Sequence, residues 1–494
     1  NRRCEDACTR GRVDAAVAID EVKKFIAQRD LDAATRYVPP VVTPTRAGGF
    51  DQKIAIIGAG PAGLSCAFYL AEKGYKPVVF EKNERPGGML TYGIPSFKLQ
   101  KDVIEAEVEI IRLMGAEFRY GVEVGRDVTL DELRAQGFKA FYVAIGCQGG
   151  RLAGIPGEDA VDVTVAVDFL REVNSGKIDT LSGRTIVVGG GNVAIDVARN
   201  ACRLGSEHVE MFCLESEAQM PASEEERREA VEDGAHISCG WGPKEIHLDE
   251  AGRVCGITFK RCTRVFDDEG RFAPEYDEND LRRVDADRVV MSIGQSIVWG
   301  DLLAGSKVEL GRGQGALADP QTYQTAEPDI FVGGDVYTGP SFAIDAIAAG
   351  HEAAVSIHRF VQPGSTLTIG RNQRRYTSLD RDDAVIESYD NASREVAHVD
   401  REREKAAPFS EYVETFSEEQ VRAETARCLG CGASIVDPNK CIGCGLCTTK
   451  CAFDAIHLDR DRPECSTMVK YEQKLPSLGK YALKRAIKIK FGRK

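Results

Sequence analysis

The sequence predicts an α/β protein built around two nucleotide-binding units, and three observations carry this prediction. Two segments, residues 53–70 and 184–199, each read as an apolar strand, a glycine-rich turn and a helix. Each is followed by a second apolar strand that ends in an acid, which completes the pattern of a dinucleotide site. The third observation is a run of four closely spaced cysteines near the C-terminus, which predicts a further kind of site.

Length, composition and charge limit the kinds of protein that this chain could be. The chain has 494 residues, of which 43% are hydrophobic and 29% charged, and this length suffices for roughly three or four domains. A net charge of −13 argues against a nucleic-acid partner. No apolar run reaches the ~18 residues that a membrane span needs, and no secretory signal is visible. We therefore expect a cytoplasmic protein without a membrane span. Because the chain begins at Asn1 rather than Met, we also expect sequence upstream.

The first glycine turn predicts a site for the pyrophosphate of a dinucleotide. Here Gly58 permits the tight turn, Gly60 lets the backbone approach the pyrophosphate, and Gly63 lets the helix pack against the strand. The next strand ends in Glu81, which can accept hydrogen bonds from ribose hydroxyls. The candidate residues of this turn and strand are Gly58, Gly60, Pro61, Ala62, Gly63, Glu81 and Lys82.

A later strand indicates that this dinucleotide is FAD. Residues 329–335 form an apolar strand ending in Gly-Gly-Asp, and an aspartate at this place can hold a ribitol hydroxyl of the flavin. The helix that follows could point its positive end at the flavin. The alternative is a strand–turn–helix unrelated to the first. The candidate residues are Gly334, Asp335, Ser341 and Ala343.

The second glycine turn repeats this logic and predicts a nicotinamide nucleotide. Ala194 replaces the third glycine, which is an accepted variant of the motif. The following strand, residues 209–215, again ends in an acid. Since this unit lies between two halves of the first, we expect two cofactors that face each other and exchange a hydride. The candidate residues are Gly189, Gly190, Gly191, Asn192, Val193 and Glu215.

The cysteine run predicts an iron–sulfur site. It has the C-x2-C-x2-C-x3-C spacing of bacterial iron–sulfur proteins, in which the fourth cysteine usually ligates another cluster. Six of the 16 cysteines fall within residues 428–451, and such clustering in a large chain favours metal thiolates over disulfides. The candidate ligands are Cys428, Cys431, Cys441, Cys444, Cys447 and Cys451.

The ligand assignment within this region stays open. One or two 4Fe–4S clusters fit the spacing, with Cys441, Cys444 and Cys447 on one of them. If Cys451 joins Cys428 and Cys431, each cluster needs one more ligand, and Cys465 or a non-cysteine ligand could supply it. A zinc site at Cys428 and Cys431 is less favoured, because structural zinc generally takes four protein ligands.

Residues 87–99 resemble a segment of a known family. Their sequence, Gly-Gly-Met-Leu-Thr-Tyr-Gly-Ile-Pro-Ser-Phe-Lys-Leu, is similar to the segment beside the flavin in the small subunit of NADPH-dependent glutamate synthase. The large subunit of NADH-dependent ferredoxin:NADP oxidoreductase and the N-terminal part of dihydropyrimidine dehydrogenase share it. Residues 141–146 and 287–295 resemble the strands that cross between the two domains there. The resemblance spans about residues 1–360 and implies further cofactor residues, namely Gly88, Met89, Leu90, Ile94 and Gly146 for FAD and Gly294 for NAD(P).

The same resemblance extends to the N-terminus. Residues 3–8 resemble the end of the family's C-x3-C-x3-C segment, which belongs to a helical domain with two 4Fe–4S clusters. This implies that Cys4 and Cys8 are ligands of at least one N-terminal cluster, and that the first cysteine of the motif lies just before Asn1. The alternative is two cysteines on a surface helix.

One departure from the family predicts NAD(H) in preference to NADP(H). Members that use NADPH carry Tyr-Arg-Arg after the second strand, whereas this chain has Cys213, Leu214 and Glu215. Two like charges about 4 Å apart at an effective dielectric of ~20 repel by on the order of 4 kcal/mol, so Glu215 would reject a 2′-phosphate. The nearby Arg227 and Arg228 leave the alternative open.

These interpretations divide the chain into six regions. The predicted fold class is α/β, with two Rossmann-like dinucleotide-binding domains, an N-terminal helical iron–sulfur segment and a C-terminal ferredoxin-like α+β module. The regions are 1–48 (helical iron–sulfur segment), 49–150 with 301–360 (FAD domain), 151–300 (NAD(P) domain), 361–425 (linker), 426–468 (ferredoxin-like module) and 469–494 (basic tail).

The resemblance implies a flavin- and iron–sulfur-dependent NAD(P)H oxidoreductase subunit. Electrons would pass between nicotinamide, FAD and clusters, to or from ferredoxin or other subunits of a redox complex, with bifurcation as one option. We expect no catalytic side chain, because hydride transfer needs positioning of the rings rather than acid–base chemistry. Two alternatives are a glutamate synthase small subunit and a non-catalytic electron-transfer scaffold. The basic tail is either solvated or a docking element for an acidic partner.

Overall fold

A computed structural model describes residues 2–41, 49–371, 386, 389–431, 436–437, 439–451, 455–458 and 470–491. The chain forms two units. The first comprises Asn1–Ile369 with Ile386–Leu429, and the second comprises Gly370–Val385 with Gly430–Lys494. Within the described ranges, no helix combines the length and apolar character that crossing a membrane requires.

The strands of the described residues all lie in the first unit. Numbered along the chain, they are β1 (Lys53–Ile57), β2 (Val78–Glu81), β3 (Glu117–Tyr120), β4 (Phe138–Val143), β5 (Gly149–Gly150), β6 (Val163–Val165), β7 (Arg184–Val188), β8 (His208–Cys213), β9 (His236–Cys239), β10 (Trp241–Leu248), β11 (Val254–Phe266), β12 (Phe272–Val284), β13 (Arg288–Met291), β14 (Gln295–Ser296) and β15 (Ile330–Val332).

The helices of the same residues occur in both units. They are α1 (Arg3–Asp6), α2 (Ile19–Leu31), α3 (Pro61–Glu72), α4 (Met89–Tyr92), α5 (Lys101–Leu113), α6 (Leu130–Ala135), α7 (Ala166–Asn174), α8 (Asn192–Arg203), α9 (Glu224–Glu232), α10 (Asp335–Thr338), α11 (Ala343–Val361), α12 (Arg401–Ala406), α13 (Glu418–Ala426), α14 (Leu446–Lys450) and α15 (Tyr471–Phe491). Short 3₁₀ turns cover Thr9–Arg12, Glu217–Gln219 and Arg312–Gln314.

The first domain is built on a five-stranded parallel sheet in the order β15-β4-β1-β2-β3. The central strand β1 is a continuous apolar run whose last four residues are buried, as expected for a parallel strand covered on both faces. One face packs against α3 and α11, through residues that include Leu70 and Ile357. The carboxyl ends of β1, β2 and β15 therefore open at the same edge of the sheet.

The second domain repeats this arrangement with the order β6-β13-β7-β8-β9, again parallel. An antiparallel sheet of β10, β11 and β12 covers one of its faces, where Phe259 stacks on Phe212 with ring centroids 3.9 Å apart. Two parallel sheets, each with its glycine turn after the central strand, confirm the predicted α/β fold with two Rossmann-like domains.

Residues 401–412 of the linker pack on the second domain. Buried Arg199 of α8 donates to the hydroxyl of Tyr412 over 2.8 Å and to the carboxylate of Asp233 over 2.7 Å. Its neighbour Arg203 pairs with Glu404 at 2.6 Å and donates to the carbonyl of Pro408 over 2.7 Å. The linker is therefore held on α8 by charge-assisted hydrogen bonds.

The N-terminal segment and α13 are joined by a buried ionic network. Glu424 is fully buried and accepts hydrogen bonds from the backbone N–H groups of Ala18 (2.8 Å) and Glu395 (2.7 Å). Arg427 pairs with Glu424 at 2.7 Å, and Arg10 donates to the carbonyl of Arg427 over 3.0 Å. Because buried charges need such partners, these contacts fix the start of the chain against the helix that precedes Cys428.

Candidate functional site

A cavity of about 320 Å³ lies at the carboxyl edge of the first sheet. Its walls come from the glycine turn after β1, the residues after β2, the segment around α4 and the turn after β15. Parallel sheets place their binding crevice at this edge because the loops that follow their strands converge there. The predicted flavin residues that line it are Gly58, Gly60, Pro61, Ala62, Glu81, Lys82, Gly88, Met89, Leu90, Ile94, Gly146, Gly334, Asp335, Ser341 and Ala343.

Glycines keep the cavity open beside the first turn. A Cβ on Gly88 would lie only 2.9 Å from the Cα of Gly60, so a side chain would close the space between the two loops. A Cβ on Gly58 would lie 2.5 Å from the carbonyl oxygen of Ala144, and the φ of Gly58 is +104°. The N-terminus of α3 begins at Pro61 beside this gap. This geometry fits a bound pyrophosphate, which helix N-termini attract.

Gly63 is the predicted flavin residue that does not line the cavity. A Cβ there would lie 1.9 Å from the carbonyl oxygen of Gly58, so its absence lets α3 lie against the turn. Its place is therefore structural, at the junction of the strand and the helix.

Glu81 braces the turn as well as lining the cavity. It is 3% exposed, and its Oε2 accepts a hydrogen bond from the backbone N–H of Ala59 over 2.8 Å. Its Oε1 accepts from the backbone N–H of Asn83 over 2.9 Å. The side-chain amide of Asn83 also donates to Oε1, over 2.6 Å. A carboxylate has about four acceptor positions, so Glu81 keeps about one of them for a ribose hydroxyl.

Asp335 is held at the start of α10 by the loop that follows. Its Oδ1 accepts from the backbone N–H of Ser341 over 3.3 Å, and burial raises the pKa of its carboxyl. The hydroxyl of Ser341 donates to Asp345 over 2.7 Å. Asp335 therefore presents a fixed acceptor to the cavity, as a ribitol hydroxyl would need.

The second domain supplies the opposite wall of the cavity, through Leu170, Val193 and Asp196. Lys98, from the first domain, places its Nζ 2.6 Å from Oδ1 of Asp196 and also pairs with Glu226. Burial raises the pKa of Asp196 to about 6, against the opposing effect of the Lys98 ammonium. The cavity therefore spans both domains, and an ionic group ties them together beside it.

Sequence reasoning missed this ionic group. Both residues lie inside segments that carry motifs, Lys98 after α4 and Asp196 on α8, but they are 98 residues apart. A lysine and an aspartate at such a separation have no recognisable spacing. Only the docking of the two domains brings them together.

The second glycine turn forms a narrow approach for a nucleotide. The φ of Gly189 is +140°, and a Cβ there would lie 2.3 Å from the carbonyl oxygen of Ser292. A Cβ on Gly190 would lie 2.9 Å from the Cβ of Cys213 and 3.0 Å from Oε2 of Glu215. Gly191 faces open space, with no atom within 4 Å of its Cβ position. The turn, with Asn192 and Val193 following it, thus sits directly beside the Glu215 carboxylate.

The two arginines that follow this region contact neighbouring protein groups. Arg227 donates to the carbonyl of Glu217 over 2.7 Å. The Nε of Arg228 lies 3.7 Å from the Glu232 carboxylate. Gly294, after β13, accepts a hydrogen bond from the backbone N–H of Arg151 over 3.2 Å and precedes Gln295 in the cavity wall.

The N-terminal segment reaches the rim of the cavity through Arg3, which precedes the first of its two cysteines. Arg3 forms a bidentate pair with Asp345 (2.6 and 3.0 Å) and stacks over the ring of Phe342, which lines the cavity. The next residue, Cys4, has its Sγ 3.5 Å from Oδ1 of Asp20. Cys8 is half-buried and precedes the 3₁₀ turn Thr9–Arg12.

The C-terminal cysteines are mostly exposed. Cys441, Cys444 and Cys447 are exposed around the start of α14, and the Sγ of Cys451 accepts from the backbone N–H of Ala455 over 3.4 Å. Cys428 closes the first unit and Cys431 belongs to the second. Across the described ranges no three Cys, His, Asp or Glu side chains converge as metal ligands. Cys465 lies outside those ranges, and the ligand assignment stays a prediction.

The cavity and the two glycine turns agree with a match to a family model. Residues 52–350, more than half of the chain, match the pyridine nucleotide-disulphide oxidoreductase model. The chain belongs to this family. Residues 434–457 match the 4Fe-4S binding domain, and they contain Cys441, Cys444, Cys447 and Cys451. This member of the pyridine nucleotide-disulphide oxidoreductases therefore combines FAD and NAD(P) binding with a C-terminal 4Fe–4S domain, as the sequence predicted.

This oxidoreductase is similar in sequence to two curated relatives. It is 34% identical over 463 residues to the NADP(+)-dependent formate dehydrogenase subunit beta of Moorella thermoacetica, covering 87% of this chain and 63% of that subunit. It is 34% identical over 381 residues to the glutamate synthase (NADPH) small chain of Escherichia coli K12, covering 73% of this chain and 79% of that protein. The chain thus spans less than two thirds of the formate dehydrogenase subunit.

The fold itself has a solved counterpart. Mycobacterium tuberculosis FprA in complex with NADPH superposes with a TM-score of 0.55 at 20% identity, covering 63% of this chain and 85% of that one. At this identity the likeness establishes the shared two-domain fold alone.

Proposed function

We propose that this chain is the flavin- and iron–sulfur-containing subunit of a cytoplasmic redox complex. It passes electrons between NAD(H), FAD and 4Fe–4S clusters, and onward to or from ferredoxin or partner subunits. The observation that carries the proposal is the shared cavity, whose walls come from the flavin-type glycine turn on one side and from α7 and α8 of the second domain on the other. A cavity between the two domains suits FAD and NAD(H), because their rings must lie side by side for hydride transfer.

The chain's own residues bind and orient rather than react. The Gly58–Gly63 turn and the N-terminus of α3 hold the pyrophosphate of one nucleotide, and the Gly189–Gly191 turn with α8 holds the other. When bound, a flavin can take up two electrons as a hydride and release them one at a time. The cavity walls from both domains would orient the two nucleotides and exclude water, which is the main requirement for hydride transfer.

The position of the N-terminal segment supports at least one cluster at Cys4 and Cys8. Arg3 anchors this segment to Asp345 and Phe342 at the rim of the cavity, so a cluster on the adjacent cysteine would lie near the flavin. The cysteines from Cys428 to Cys451 provide a second set of ligands in and beside the matched 4Fe–4S domain. One or two clusters there would give electrons a further route in or out.

The surroundings of Glu215 support NAD(H) over NADP(H). Its carboxylate lies beside the middle glycine of the second turn, where the ribose of a bound nucleotide would be expected. A free 2′-hydroxyl can donate to this carboxylate, whereas a 2′-phosphate would be repelled. Arg227 donates to the Glu217 carbonyl, and the largely exposed Arg228 lies 3.7 Å from the Glu232 carboxylate, so these two arginines keep NADP(H) as the alternative.

Reduction of the flavin by NADH in the isolated chain tests this proposal. We expect anaerobic NADH to bleach the flavin absorbance and to produce the EPR signals of reduced clusters. The matched variant is Gly190→Val, whose side chain would meet Cys213 and Glu215. It should retain FAD and be bleached by dithionite, but not by NADH. A wild-type chain that dithionite bleaches and neither NADH nor NADPH reduces would contradict the proposal and favour a scaffold.

A glutamate synthase small subunit remains the second candidate, favoured by the coverage of that relative. Glutamine-dependent glutamate formation after addition of a large synthase subunit would support it. The C-terminal 4Fe–4S match at residues 434–457 favours the first proposal, because the resemblance to the small subunit ends near residue 360. Identification of the proteins that co-purify with the chain would name its partners.

A further inference from the structure

Helix α15 carries a large exposed apolar surface. All of its residues are exposed, and its large apolar side chains show between 50% and 76% of their surface. The side chains concerned are Tyr471, Leu475, Leu478, Tyr481, Leu483, Ile487, Ile489 and Phe491. Within the part of the chain that the structure describes, the side-chain contacts of this helix are internal, such as Arg485 to the hydroxyl of Tyr481 at 3.4 Å. An apolar surface of this kind commonly marks an interaction site.

The helix is also strongly basic in an acidic protein. Residues 470–491 contain six lysines and one arginine against a single glutamate, Glu472. The whole chain carries a net charge of −13. The charge of α15 is therefore opposite to that of the protein as a whole, which predicts an anionic partner.

Part of the apolar surface and three of the lysines lie on opposite sides of the helix, while Leu483, Ile487 and Phe491 lie on or next to the basic side. At 3.6 residues per turn, positions 471, 475, 478, 482, 486 and 489 form one stripe of Tyr, Leu, Ala and Ile. Lys480, Lys484 and Lys488 follow one another at intervals of four on the opposite side. The 21 residues give a helix roughly 30 Å long. The apolar stripe therefore runs along most of the helix, and the three lysines lie opposite its second half.

We propose that α15 docks on an anionic lipid surface, lying in the headgroup layer with its apolar stripe toward the acyl chains. Interfacial helices of this type combine Leu and Phe on one side with lysine-rich polar faces. The helix does not meet the criteria for a membrane span, which fits an orientation along the surface rather than across it. Docking would also hold the matched 4Fe–4S domain, which ends at residue 457, close to the membrane.

The choice of lipid over an acidic protein follows from the kind of cation. Protein interfaces are enriched in arginine and depleted in lysine, whereas α15 has six lysines in or next to it and one arginine. Lysine carries a point charge on a long flexible stem, which can reach phosphate groups while its methylenes stay in the apolar layer. Several apolar side chains lie outside the stripe. A fluid lipid layer can accommodate them, because it has no fixed shape that the helix must match.

Flotation of the full chain with vesicles tests the proposal. We expect the chain to float with phosphatidylcholine vesicles that contain phosphatidylglycerol, to stay behind with phosphatidylcholine alone, and to be released by high salt. The triple variant Lys480→Glu, Lys484→Glu, Lys488→Glu should bind about a hundredfold more weakly, from about fivefold per lysine. The variant Leu475→Ser, Leu478→Ser, Ile489→Ser should also lose binding while keeping the charge.

A matched control separates the helix from the net charge. The triple variant Lys76→Glu, Lys139→Glu, Lys177→Glu changes the net charge equally at exposed positions of the first unit, and it should float like the wild type. FAD content and NADH-driven bleaching report that each variant is folded. Absence of flotation, equal flotation with neutral lipid, or equal loss in the control variant would overturn the proposal. So would capture of an acidic protein through α15 by a chain that binds no vesicles, since that result assigns the helix to a protein partner.

Discussion

The two acids that end the second strand of each nucleotide unit have different surroundings. Glu81 is almost completely buried, and both of its oxygens accept hydrogen bonds from backbone N–H groups of its own domain. Glu215 is half-buried, with one oxygen beside the Cβ position of Gly190. The same residue type at the same place in the motif therefore braces the turn in the first unit, whereas in the second it lies beside the middle glycine of the turn.

Substitution of Glu215 should change the choice of nucleotide. We expect Glu215→Gln to raise the ratio of kcat/KM for NADPH over NADH by about ten- to a hundredfold, because it removes part of a repulsion of on the order of 4 kcal/mol. Steady-state kinetics with both nucleotides measure this ratio. The neighbouring Glu217→Gln, at an exposed position, should leave it unchanged. An equal ratio in both variants, or a wild type that already prefers NADPH, would contradict the expectation.

Asp196 should make stability depend on pH in a direction opposite to that of ordinary carboxylates. Its pKa is raised from 3.8 to about 6 in the folded protein, so folding favours its protonated form. The stability from this group is present at low pH and is lost as the pH rises through about 6. Relative to Asp196→Asn, the wild type should lose on the order of 2–3 kcal/mol of unfolding free energy between about pH 4 and pH 7.

Urea denaturation of both proteins across this pH range measures the difference. Asp268→Asn, at an exposed position, provides the control and should show little pH-dependent difference from the wild type. If the wild type instead gained stability relative to Asp196→Asn as the pH rose, the assigned direction would be wrong.

At the level of elements, the contact between β1 and α3 decides whether the flavin cavity forms. The two elements meet at Gly63, where a Cβ would overlap the carbonyl oxygen of Gly58. The apolar spacing of this segment already predicted both elements. The antiparallel sheet β10–β12, in contrast, carries no motif and was not predicted, although Phe259 within it completes the core around Phe212.

The variant Gly63→Ala should abolish flavin binding. Relief of the overlap requires α3 to move away from the turn, which displaces its N-terminus from the pyrophosphate position and costs at least ~2 kcal/mol of stability. The FAD content of the purified protein and its Tm measure the two effects. Gly479→Ala, at a helical glycine with no atom within 4 Å of the Cβ position, should retain both properties. Full flavin occupancy in Gly63→Ala would rule out this account of the turn.

On the scale of the whole molecule, the two domains and the linker are joined by charged groups. Lys98 crosses from the flavin-type domain to Asp196 and Glu226, and Arg199 and Arg203 hold the linker on α8. Such partly buried pairs add specificity of arrangement more than stability, and they are costly to break on one side only. The arrangement of the domains around the cavity therefore depends on a few residues far apart in the chain.

Removal of Lys98 should destabilise the arrangement of the domains. In Lys98→Met, two carboxylates would face each other without their cation, at a cost of about 3–5 kcal/mol. The free energy of unfolding from denaturant titration measures this loss. We expect Lys98→Arg to recover much of it, and Lys139→Met, at an exposed position, to cost little. An unchanged stability in Lys98→Met would mean that the ion pair does not hold the domains together.

The sequence by itself determined the two nucleotide units, the cavity-lining glycines and the 4Fe–4S domain. Each of these rests on local requirements, such as a positive φ, a close approach of backbone to ligand, or thiolates at fixed spacing, and such requirements appear as short motifs. Only the tertiary structure decided that Lys98 meets Asp196 beside the cavity, that Glu81 braces its turn, and that Arg3 lies at the rim. These contacts join residues tens to hundreds of positions apart, and the free energy that selects them comes from packing whole domains, which leaves no periodic trace in the chain.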